Sequence, residues 1–88
     1  MKEFKLQIAG KRLVSGPSVL SVNENDTVII HIQSDETQEF HLHGYDQAVD
    51  LEPGKTVTLT LVASASGRFP YELEESKTEI GALEVQPK

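Results

Sequence analysis

Thr27-Val28-Ile29-Ile30-His31-Ile32-Gln33 decides the fold class of this chain. Val28, Ile30 and Ile32 fall on one face of an extended backbone, with His31 turned away from them. A period of two suits a strand with one face in a core and the other toward water. The same alternation recurs on both sides. Phe4, Leu6 and Ile8 alternate with Lys5 and Gln7, and Val57, Leu59 and Leu61 alternate with Thr56, Thr58 and Thr60. Shorter runs at Val19–Val22, Glu39–His43, Phe69–Leu73 and Ile80–Val85 complete a set of about seven strands. Turn-forming residues separate them: Asn23-Glu24-Asn25-Asp26, Ser34-Asp35-Glu36-Thr37 and Glu52-Pro53-Gly54-Lys55. In the last, Pro fixes φ at one corner and Gly accepts φ > 0 at the next. Gly10–Pro17 reads as a turn-rich connection, Gly44–Leu51 as irregular and Glu74–Glu79 as a charged loop. No stretch has helical periodicity. Short strands at regular spacing predict an all-β, antiparallel two-sheet sandwich.

The expected inward set is Ile8, Leu20, Val22, Val28, Ile30, Ile32, Phe40, Leu42, Leu59, Leu61, Phe69, Tyr71, Leu73, Leu83 and Val85. With 88 residues, the chain is expected to form one domain spanning 1–88 around a single small core. Its 14 Asp and Glu against 8 Lys and Arg give a net charge of −6, which argues against a nucleic acid or an anionic membrane surface as partner. No apolar run is long enough for membrane insertion as a helix. Lys2 and Lys5 lead into an alternating stretch, which lacks the apolar segment of a secretory leader. Cys is absent, so no disulfide, thiolate metal site or cysteine nucleophile exists.

The order of local blocks is similar to that of a known family. Asn25-Asp26-Thr27-Val28-Ile29-Ile30, Phe40-His41-Leu42-His43-Gly44-Tyr45-Asp46, Leu51-Glu52-Pro53-Gly54-Lys55-Thr56, Gly67-Arg68-Phe69-Pro70-Tyr71-Glu72-Leu73 and Gly81-Ala82-Leu83-Glu84-Val85 follow one another as in cupredoxin-like domains. The resemblance covers roughly residues 19–87 and implies a plastocyanin-type Greek-key sandwich. It also implies an extracytoplasmic setting, periplasmic or secreted, with the leader absent from this chain, whereas composition by itself leaves a cytoplasmic setting equally open. The copper chemistry of the family does not carry over. Its thiolate ligand falls on or near Leu73, its second His has no counterpart in Glu74–Thr78, and its axial Met falls near Glu79 or Ile80. A type 1 copper site needs the thiolate, so none is expected.

One constellation still concentrates ligand chemistry. In Glu39-x-His41-x-His43, side chains at i, i+2 and i+4 share a face, while Phe40 and Leu42 anchor the other face in the core. Gly44 permits a bend that would let the two imidazoles converge. Two imidazoles and a carboxylate suit a divalent ion such as Cu(II) or Zn(II). The expected metal ligands are therefore His41, His43 and Glu39, with Asp46, Asp50, Glu72 and Glu74 as alternatives for a further ligand. Against this stands a structural role for the histidines in holding the Gly44–Asp46 turn. Asp46 is read as capping its own backbone, Tyr45 as a half-buried ring, and His31 as a solvent-side residue. The Glu72, Glu74, Glu75 and Glu79 group reads as a solvated, edge-protecting cluster. No nucleophile elbow or phosphate-binding glycine loop occurs, so a non-catalytic domain is expected. The alternative to metal binding is a metal-free structural or protein-interaction module.

Overall fold

The computed structural model describes residues 1–74 and 77–87. Glu75 and Ser76, part of the expected charged loop, lie outside the described residues. Nine strands are present among those described: β1 (Lys2–Ala9), β2 (Arg12–Ser15), β3 (Val19–Asn23), β4 (Thr27–Ser34), β5 (Gln38–Leu42), β6 (Gln47–Leu51), β7 (Thr56–Val62), β8 (Gly67–Leu73) and β9 (Thr78–Gln86). They form a four-stranded sheet, β2-β1-β4-β7, and a five-stranded sheet, β3-β9-β8-β5-β6. The chain passes repeatedly between the sheets, so the sandwich is closed by crossovers as well as by hairpins.

Two expectations need correction. The strands number nine because β2 and β6 form where a connection and an irregular stretch were read. Both are edge strands, and β2 buries none of its four residues fully while β6 buries only Leu51. An edge strand with so little buried has little alternation to display. The sheets are also mixed and not purely antiparallel. β1 runs parallel to β4, and β3 runs parallel to β9. Hydropathy reports which face a residue takes and is blind to the direction of its neighbour.

The core lies between the sheets. β4 alternates half-buried and buried residues along its whole length, with Val28, Ile30 and Ile32 fully enclosed. Of the expected inward set, Phe69 alone is half-buried; the others are buried. Phe69 sits near the start of β8 and packs edge-on against Tyr45, with ring centroids 4.7 Å apart. Leu6, Leu51 and Ala63 join the core as well.

β5 fixes the position of the chemistry-bearing residues. Gln38, Phe40 and Leu42 point inward, which turns Glu39 and His41 to the outer face of the five-stranded sheet. Phe40 packs on Tyr71 of β8 at a centroid distance of 5.1 Å. The hydrophobic grip on alternate residues thus sets the rotation of β5 and holds its polar residues outward.

Candidate metal centre

β5 pairs antiparallel with β8, with Phe40 opposite Leu73, His41 opposite Glu72 and Leu42 opposite Tyr71. Residues directly opposite across such a pair stand roughly 4.5–5.5 Å apart at Cβ, close enough for their side chains to meet. The Glu74 amide donates to the Glu39 carbonyl at 2.8 Å, and the His43 amide to the Pro70 carbonyl at 3.0 Å. These bonds extend the pairing beyond the strand and keep His43 on the sheet.

The result is a compact group. His41, His43 and Glu72 each offer a ligand atom within 4.8 Å of the others, and all three are half-buried. The imidazoles meet edge to face, with centroids 4.4 Å apart and planes at 63°. His43 Nε2 lies 2.7 Å from Glu72 Oε1. This hydrogen bond is the main cause that holds the Glu72 carboxyl below its usual range, aided by the charges of His43 and Lys77. His41 faces a carboxylate from each ring nitrogen. Nδ1 is 3.5 Å from Glu74 Oε2, and Nε2 is 3.9 Å from Asp46 Oδ1.

The following turn is fastened beneath the site. Gly44 has φ 88° and Asp46 φ 54°. A Cβ on Gly44 would come within 2.3 Å of the Phe69 ring, so the turn lies directly on that ring. Tyr45 is half-buried, as expected. Its hydroxyl donates to the Ala65 carbonyl at 2.6 Å and accepts from the Ala65 amide at 3.1 Å.

The structure therefore brings His41 and His43 together, and joins to them Glu72. Glu39 stands further along β5, opposite Asp50 of β6 and outside that group. Glu72 was one of four open alternatives. It became recognisable only through the β5–β8 register, which no local pattern discloses. His31 lies in the other sheet, between Thr58, at 3.0 Å, and the Glu3 carboxylate.

Two imidazole nitrogens and a carboxylate oxygen are borderline-to-hard donors that fit Cu(II) or Zn(II). Beside this group, two buried polar atoms that face each other, His41 Nδ1 and Glu74 Oε2, lack a hydrogen-bond partner among the described residues. With no cysteine in the chain, a type 1 copper set cannot form.

No sequence-family model and no curated protein sequence matches the chain. Solved structures do. The purple cupredoxin from Nitrosopumilus maritimus superposes with a TM-score of 0.66 at 14% identity, over 98% of this chain and 100% of that one. The periplasmic domain of cytochrome oxidase subunit II (CoxB) from Bradyrhizobium japonicum gives 0.76 at 13% identity, over 99% and 85%. The blue copper oxidase from Nitrosomonas europaea gives 0.76 at 22% identity, but this chain spans only 39% of that one while 99% of its own length is covered. At such identities the likeness is one of architecture, and on that basis the chain has the cupredoxin-like fold.

Proposed function

We propose that this protein is a non-catalytic cupredoxin-like domain that binds a divalent transition-metal ion, Cu(II) foremost and Zn(II) second, on the outer face of its five-stranded sheet. His41 and His43 are the nitrogen ligands. Glu72 takes the carboxylate position first expected of Glu39, and Glu39 and Asp50 form an acidic border beside it. The convergence of His41, His43 and Glu72 within 4.8 Å carries this reading. When bound, the ion supplies a Lewis-acidic centre. The chain's own part is to hold the two imidazoles and the Glu72 carboxylate within reach of one ion. An extracytoplasmic setting is in keeping with the periplasmic origin of the CoxB domain that shares the fold.

Calorimetric titration with Cu(II) and with Zn(II) tests the assignment. Saturable one-site binding by the wild type, lost in the His41→Ala/His43→Ala variant, is expected. Equal heats from wild type and variant would sink it and leave a metal-free interaction module as the remaining reading.

A further inference from the structure

His41 presents both ring nitrogens to carboxylates, and the two sides differ. On one side Nδ1 is buried and faces Glu74 Oε2, an atom itself buried, at 3.5 Å; neither atom has a hydrogen-bond partner among the described residues. On the other side Nε2 looks toward the fully exposed Asp46, 3.9 Å away. A neutral imidazole carries one proton and offers one lone pair. A buried carboxylate oxygen can only accept, so the least costly arrangement places the proton on Nδ1 between the two buried atoms. The lone pair then falls on Nε2, on the open side.

We propose that Glu74 is a positioning residue for His41: its carboxylate keeps the imidazole proton on Nδ1 and so leaves Nε2 as the metal-binding atom. This deepens the metal-site reading and rests on it for the consequence, though the tautomer itself does not depend on any ion. Glu74 is held for the task by backbone, since its amide is bonded to the Glu39 carbonyl across the β5–β8 pair at 2.8 Å. The arrangement is a carboxylate–imidazole–metal relay, in which the outer partner orients the ring and raises its basicity. Glu74 touches the ring, and its side chain also meets Glu72, so a loss of affinity on its removal is assigned to His41 only where the tautomer moves with it.

The test separates the two claims. In metal-free, ¹⁵N-labelled protein at about pH 8, two-bond imidazole correlations report each tautomer. His41 is expected as the Nδ1–H form in the wild type. In Glu74→Ala, and in the bulkier Glu74→Leu, it is expected to move toward the Nε2–H form, with amide spectra confirming the fold. Cu(II) affinity should fall by about 10–100-fold in both. Glu84→Gln, which removes a charge from another strand of the same sheet, should leave tautomer and affinity unchanged. A wild-type His41 in the Nε2–H form, or an unchanged tautomer in both Glu74 variants, would overturn the proposal. An affinity loss as large in Glu84→Gln would overturn it too, because net charge would then be the cause. Absence of Cu(II) binding by a wild type with Nδ1–H at His41 would remove the metal reading while upholding the role of Glu74.

Discussion

Tyr71 is the largest fully buried side chain, and its hydroxyl donates to the Pro17 and Ser18 carbonyls at 3.3 and 3.2 Å. Burial pushes its pKa from 10.0 up to about 12. The folded state thus keeps a proton that the unfolded chain has lost, so this contribution to stability is whole below about pH 10 and disappears as pH climbs from there toward 12. Tyr71→Phe should remove that alkaline limb at a cost of about 0.5–1.5 kcal/mol, read from urea midpoints across the range. The cost is small because the Ser18 carbonyl also accepts from the Ala82 amide at 2.9 Å. Gln38 gives the opposite case. It is buried, its Nε2 donates to Glu36 Oε1 at 2.6 Å, and its own Oε1 has no partner among the described residues. Gln38→Met removes that unsatisfied oxygen. It should leave the melting temperature unchanged or raise it, since a buried polar atom without a partner costs about 1–3 kcal/mol. At this scale the sequence was informative about side chains on one strand, His41 and His43 above all. It was uninformative about Glu72, 29 residues beyond His43 in the chain yet 2.7 Å from its Nε2.

Among the elements, the strands that insert alternate residues into the core were legible. β4 and β7 bury Val28, Ile30, Ile32, Leu59 and Leu61 as their alternation predicts. β2 and β6 were not, because edge strands derive their order from pairing with a neighbour and display little of it in composition. The expected full burial of Phe69 failed for a related reason: its ring packs at the margin of the core, where it also supports the turn after β5. That turn offers a test. Gly44→Ala places a methyl 2.3 Å from the Phe69 ring at a φ of 88°. The left-handed backbone alone costs a non-glycine residue about 1–3 kcal/mol. Chemical denaturation should register a loss of that size. Cu(II) affinity should fall with it, because His43 and Asp46 flank the displaced turn. By contrast, Leu42→Ala should cost about 2–5 kcal/mol in stability through the cavity it leaves in the core.

For the whole molecule, a bound ion should act as a ligand of the folded state alone. At a free Cu(II) concentration 100 times the Kd, the stability gain is about 2.7 kcal/mol. For a domain of this size each kcal/mol corresponds to roughly 4–8 °C in Tm. A calorimetric scan should therefore show a rise well above 5 °C, reversed by chelator and absent in the His41→Ala/His43→Ala variant. Direction of pairing is the property least visible in the sequence, and it is also the one with the widest reach. β1 lies parallel to β4, and β3 parallel to β9, so that Val19 has Ala82 as its register partner. β3 stands at the end of its sheet and has no partner there until β9 has formed. The sheet that carries the histidines is thus completed late, through contacts distant in sequence, which is the regime of millisecond-to-second folding. Assembly can finish the four-stranded sheet first, and the face that carries His41 and His43 belongs to the half of the sandwich that must wait.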